Sequence, residues 1–161
     1  MKLPLLLTAM HMVLCCASAL AAPAQLSATD EAGAFKAAGF ALKGKQWHKC
    51  DDASPSYEPG AIAAVNTAAR GGHPVVIISE GSTNCFGNTG VGYSLVRKQA
   101  DGKWQRITDG TGIAQFLSTK GADGWPDVEI GGPGFCFPVE RWNGHAYALH
   151  RYQYEGKSCR P

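Results

Sequence analysis

The chain lacks a second long apolar run after its N-terminal one, which argues against an integral membrane protein built from helices. It lacks an excess of either charge. Past the N-terminal segment 14 basic residues face 13 acidic ones, which leaves no electrostatic footprint for nucleic acid or an anionic membrane. It lacks a C-x-x-C pair, so its scattered cysteines do not read as a zinc site. It also lacks G-x-S-x-G, H-E-x-x-H and the P-loop pattern, which removes the commonest signatures of serine hydrolases, zinc proteases and nucleotide hydrolases. GNTGVG, residues 87–92, is rich in glycine, but no strand–helix–strand context surrounds it.

What is present begins with an export leader. Met1 and Lys2 give a basic start, an apolar run follows, and Ala19-Leu20-Ala21 supplies a small-residue cleavage site. Residues 1–22 are expected to be a cleaved signal peptide, with the cut after Ala21 or Ala22; the rival reading is an N-terminal membrane anchor. Cys15 follows Leu14 and Cys16 follows another cysteine, where a lipoprotein signal would want a small residue. The remaining 23–161, about 140 residues, reads as one domain in the periplasm or secreted. Four cysteines survive cleavage (Cys50, Cys85, Cys136 and Cys159), and an even count in an exported chain implies two disulfides with three possible connectivities.

Residues 60–87 align on residues 112–138. Gly60 falls on Gly112, Gly72 on Gly124, Pro74 on Pro126, Val76 on Val128 and Ile78 on Ile130, all 52 positions apart, and one deletion later Cys85-Phe86 falls on Cys136-Phe137. Such a period indicates repeated units, here spanning about 40–107 and 112–159. A strand–turn–strand pattern follows each copy, with Asp101-Gly102 and Asn143-Gly144 as the expected type I′ turns. A third hairpin is expected over residues 40–50, around Lys43-Gly44. Ile113 and Phe116, Val128 and Ile130, and Val139 and Trp142 are the expected core faces. The one helix expected covers residues 28–39, capped by Ser27 or Thr29, with Asp30 and Glu31 in its first turn and Gly39 at its end. The fold expected is therefore mostly β: antiparallel hairpin repeats, stacked like propeller blades or wrapped as a small sandwich, with one short N-terminal helix. Each unit holds one cysteine after its long strand and one on a terminal hairpin, which points to Cys50–Cys85 and Cys136–Cys159. Each bond is worth on the order of 2–4 kcal/mol.

The second copy resembles the FG-GAP or VCBS class of β repeat, whose connecting loop reads D-x-[DN]-x-D-G-x-x-D. With Gly124 on the loop glycine, Asp123 and Asp127 fall at two calcium-ligand places, and Thr119 and Gly121 at the other two. Calcium needs six to eight oxygens. The first copy has Thr67, Ala69, Gly71 and Val75 at those places and no carboxylate. The resemblance implies at most a weak Ca²⁺ site at Asp123 and Asp127; the alternative is that these glycines serve turn geometry.

For catalysis the residues offer little. His145 and His150 are expected on opposite faces of a strand, His73 sits in a turn beside Pro74, and His48 has no spaced partner. Glu129 and Glu140 remain as a carboxylate pair for an envelope hydrolase. The polar insertion from Gly87 to Gly92, before Tyr93, is instead what a loop protruding from a β framework looks like, and such loops commonly carry recognition; the alternative is a tolerated surface insertion. Arg151, Tyr152, Tyr154 and Trp142 are residue types enriched at interface hot spots. The leader, two disulfides and repeat pattern are similar to a group of bacterial periplasmic proteins that includes lysozyme-inhibitor-like immunity proteins. In these a Ser-Gly…Tyr loop enters a hydrolase cleft, and Thr89-Gly90-Val91-Gly92-Tyr93 is the corresponding stretch. That resemblance implies a protein partner, a cell-wall hydrolase or toxin, contacted by Asn88, Thr89, Tyr93 and Arg151 without chemistry of the chain's own. The alternatives are a calcium-dependent structural or adhesion module, and an enzyme.

Overall fold

The structure, a computed structural model, describes residues 26–44, 46–51 and 73–161. The leader, and the part of the first copy that holds Gly60 to Gly72, lie outside the described residues. Among the described residues no helix is long and apolar enough to cross a membrane.

The described residues open with helix α1 (Ala28–Ala38). Ser27 caps it by accepting from the Asp30 amide, and Gly39 closes it in the left-handed conformation, φ 91°. Ala34, Phe35 and Ala38 form its buried stripe. A hairpin, β1 (Ala41–Lys43) and β2 (Gln46–His48), follows. Phe35 stacks on Trp47 of that hairpin and meets Phe40 edge to face. Leu42 stays exposed.

Among the described residues two further sheets follow, both antiparallel. The first is β3 (Val75–Gly81), β4 (Val91–Lys98) and β5 (Trp104–Thr111), in that order. Its connection from β3 to β4 carries one helical turn, α2 (Thr83–Phe86), which the sequence pattern did not announce. The second sheet holds β6 (Ile113–Lys120), β7 (Pro126–Gly131), β8 (Phe137–Trp142), β9 (Tyr147–Tyr154) and β10 (Lys157–Ser158), in the order β10-β9-β8-β7-β6. The chain passes from one sheet to the other through Gly112 alone. At φ 142°, with the Ile130 side chain where a Cβ would go, only glycine fits that corner.

The hairpins form where expected, but their turns differ. Gln99 to Lys103 closes a longer loop with positive φ at Gly102 only, and Asn143 folds its side chain onto the amides of His145 and Ala146. These are the longer-loop solutions to strand twist rather than two-residue type I′ turns.

The layers stack in a definite sense. Val76 and Ile78 of β3 face α1, while Val75 and Ile77 face the second sheet. Against them the second sheet presents Ala114, Val128 and Trp142, with Phe116 and Ile130 at the margin. Asp127 and Glu129 leave its far side. Ile113 is exposed rather than buried, and Val139, paired with Glu129, lies on the far face, opposite to Trp142. Both disulfides are present: Cys50–Cys85 ties the first sheet's loop to the α1 side, and Cys136–Cys159 ties the β7–β8 connection to the C-terminal strand.

Candidate functional site

The connection between β3 and β4 is closed on itself. The Ser82 amide donates to the Gly90 carbonyl at 2.7 Å, the Cys85 amide donates to Ser82 Oγ at 3.1 Å, and the Phe86 amide donates to the Ser82 carbonyl at 3.0 Å. A short 3₁₀ turn, Gly87–Thr89, ends at Gly90 with φ 65°. The Phe86 ring lies over Gly92, where any Cβ would strike it, and Cys85 is bonded to Cys50. Backbone bonds, an aromatic anchor and a disulfide thus fix a loop of small polar residues. Asn88 is exposed at its tip. Thr89 is half-buried beside Gly132 of the β7–β8 connection. In that second loop Phe135 is 77% exposed and stands edge-on to Tyr154, which also meets Phe137. One end of the molecule therefore carries a stiff polar loop next to an exposed aromatic patch, each fixed by its own disulfide.

The other two residues expected at a contact surface lie elsewhere. Tyr93 is buried between the sheets; burial, with Glu140 and Asp109 nearby, pushes its phenol up to about 12. Arg151 lies on the far face of the second sheet. There Asp127, fully buried, accepts two hydrogen bonds from Arg141 (2.9 and 2.8 Å), one from Arg151 (3.2 Å) and one from Thr119 (2.6 Å). Burial alone would raise the Asp127 carboxyl, but these donors overcome it and hold the group at about 2. Beside it Gln115 and Gln153 each donate to one oxygen of Glu129.

Asp123 and Gly124 take left-handed conformations, φ 57° and 78°, and turn the chain from β6 into β7. Both oxygens of Asp127 are committed to cations of the protein. Among the described residues no group of three or more His, Cys, Asp or Glu side chains is placed to hold a metal ion. Glu140 pairs across from Val128 and Glu129 from Val139, so the two carboxylates leave opposite faces of the sheet. Glu140 is half-buried, and burial raises its carboxyl. His48 and His73 are half-buried and His145 and His150 exposed.

A feature that sequence spacing did not reveal lies behind the stiff loop, on the α1 side of the first sheet. A cavity of about 330 Å³ is floored by Ile78, Glu80, Ser94 and Asp109 and walled by Phe40, Lys49, Cys85 and Phe86. Lys49 Nζ reaches Asp109 at 2.6 Å and Ser94 Oγ at 3.0 Å, and Arg106 binds the same Asp109 oxygen at 3.1 Å. These bonds, with Lys49 and Arg106 close by, outweigh desolvation and lower the Asp109 carboxyl; Lys49's hydrogen bond is the largest cause. Glu80, 2% exposed, accepts the amides of Lys49 and Cys50 on one oxygen.

Comparison of the chain with protein-family models, curated proteins and solved structures yields no match.

Proposed function

We propose that this is a non-enzymatic binding protein of the periplasm or the secreted fraction. We further propose that its partner is a peptidoglycan hydrolase of the lysozyme class, which it inhibits. The observation that carries the reading is the self-closed loop of residues 82–90. A loop held by its own hydrogen bonds, a half-buried ring and a disulfide loses little freedom on docking, and low ordering cost is what lets a small contact bind firmly. Its tip, Asn88 and Thr89, is small and polar enough to occupy a sugar subsite. The neighbouring Phe135 supplies the apolar anchor that interfaces of this kind need. Tyr93 then acts as a support beneath the loop, and Arg151 belongs to the structural network around Asp127.

The calcium reading would require Asp127 to exchange two guanidinium groups for an ion. The hydrolase reading would need a carboxylate pair other than Glu129 with Glu140, whose side chains stand on opposite faces. Titration calorimetry against a lysozyme-class hydrolase tests the proposal. Asn88→Ala with Thr89→Ala should weaken binding about tenfold or more while leaving the melting temperature unchanged. Undiminished binding by that variant would move the contact away from the loop.

A further inference from the structure

The geometry points to Glu140, with Leu149 and Tyr152 beside it, as the seat for an arginine side chain of the protein partner. The inference rests on the partner reading above and adds a contact away from the loop tip. Glu140 belongs to a row that crosses the second sheet on the face toward the first: Phe116, Val128, Glu140 and Leu149 pair in succession. Val128 is 2% exposed and Leu149 56% exposed, so the cover given by the first sheet ends at Glu140. Tyr152 pairs with Pro138, two positions before Glu140 on β8, and so joins the same face. Tyr93 stands near: burial, and then the Glu140 charge, raise its phenol. The row therefore lies at the foot of the stiff loop, from which β4 carries Tyr93 inward.

Glu140 differs from the neighbouring carboxylates in having no donor. Asp109 and Asp127 each hold a lysine or an arginine, Glu129 holds two glutamines, and Glu80 holds the amides of Lys49 and Cys50. Glu140 has neither a hydrogen bond nor an ion pair among the described residues, and burial is the cause of its raised carboxyl. It is nevertheless open to a ligand. The buried side-chain oxygen without a partner among the described residues is Glu80 Oε2, so both oxygens of half-buried Glu140 reach solvent. A carboxylate that is partly desolvated and unpaired favours a cation. Two free oxygens accept a guanidinium through two parallel hydrogen bonds, which an ammonium does not offer. Leu149 would take the methylene stem and Tyr152 the guanidinium plane. A metal ion is disfavoured, because among the described residues no group of three or more His, Cys, Asp or Glu side chains surrounds such a position.

The test uses the oxidised protein at neutral pH and low salt, with two probes. Nα-acetyl-argininamide is titrated in and read by chemical shifts, with Nα-acetyl-citrullinamide as its neutral isostere; a lysozyme-class hydrolase is titrated by calorimetry. The arginine amide should shift Leu149 and Tyr152 saturably and bind at least about fivefold more tightly than the citrulline amide. Glu140→Gln keeps the shape and removes an unpaired charge, so it should stay folded, lose that preference and weaken hydrolase binding about tenfold. Should Glu140→Gln fail to fold, Leu149→Arg, which sets the chain's own guanidinium across from Glu140, should abolish binding of the arginine amide instead. Equal binding of the two amides overturns the inference, as does hydrolase binding that Glu140→Gln leaves undiminished. So does the absence of saturable shifts up to about 100 mM arginine amide. Arginine amide bound at Glu140 by a protein that no lysozyme-class hydrolase binds would uphold the site and overturn the choice of partner.

Discussion

The three strands β3–β4–β5 and the three strands β7–β8–β9 run in the same order, and each set has a disulfide-bonded cysteine in the connection after its first strand. Their first strands nevertheless differ. β3 opens Val75-Val76-Ile77-Ile78, buried throughout, whereas β7 alternates Asp127, Val128, Glu129, Ile130. At positions 52 apart, Val76 and Ile78 face α1 while Val128 and Ile130 face the first sheet. The two sets therefore point the same way, the front of the second against the back of the first, as successive layers of a stack. Val75 and Ile77 are apolar because another sheet covers them. Asp127 and Glu129 occupy the corresponding back positions of the second sheet, which no further sheet covers among the described residues, and they are tied up by Arg141, Arg151, Gln115 and Gln153. A stack of this kind ends where its outer face becomes polar.

The comparison is broken most severely by giving the inner layer the outer layer's residue. Val75→Asp puts an uncompensated carboxylate between the sheets; a loss of more than about 4 kcal/mol is expected, enough to leave the chain unfolded in circular dichroism at 25 °C. Next in size is loss of a staple. Cys136→Ser with Cys159→Ser, and separately Cys50→Ser with Cys85→Ser, should each lower unfolding free energy by about 3 kcal/mol in urea titrations. The second pair should also loosen residues 82–90 in amide exchange, because Cys85 belongs to that loop.

Asp127→Ala leaves two guanidinium groups facing a gap and should cost about 3 kcal/mol. The same residue sets a pH dependence. Its folded carboxyl, at about 2, lies below its ordinary 3.8, so its contribution is complete above about pH 4 and disappears as pH falls toward 2. Melting temperatures across that window should fall more steeply for the wild type than for Asp127→Asn. The smallest effect on stability belongs to the loop tip: Asn88→Ala and Thr89→Ala should change unfolding free energy by less than about 0.5 kcal/mol.

Much of this architecture was legible in the residues. Ser27 and Gly39 mark the ends of α1, the Asp-Gly and Asn-Gly pairs mark hairpins, and one cysteine after each first strand anticipates the pairing. What was illegible depends on contacts between distant segments. The alternation at 113–116 says nothing about Ile113 lying at a sheet corner beyond the reach of the next layer. Tyr93 reads as the first residue of a strand at the edge of the loop, open to a partner, until β4 is seen to begin at Val91 and carry it inward. The Glu80 cavity is assembled from Lys49, Glu80, Ser94 and Asp109, whose hydrogen bonds join residues 31, 45 and 60 positions apart. No local spacing encodes such a site. A glutamate two positions beyond the apolar run Val75 to Ile78 was its trace in the sequence.

The most direct measurement is lysis of peptidoglycan by a panel of lysozymes, with and without the purified oxidised protein. Dose-dependent suppression by the wild type, lost in the Asn88→Ala, Thr89→Ala variant at unchanged melting temperature, is the predicted result. Full lysis at every dose, or suppression that the loop variant retains, would contradict the account.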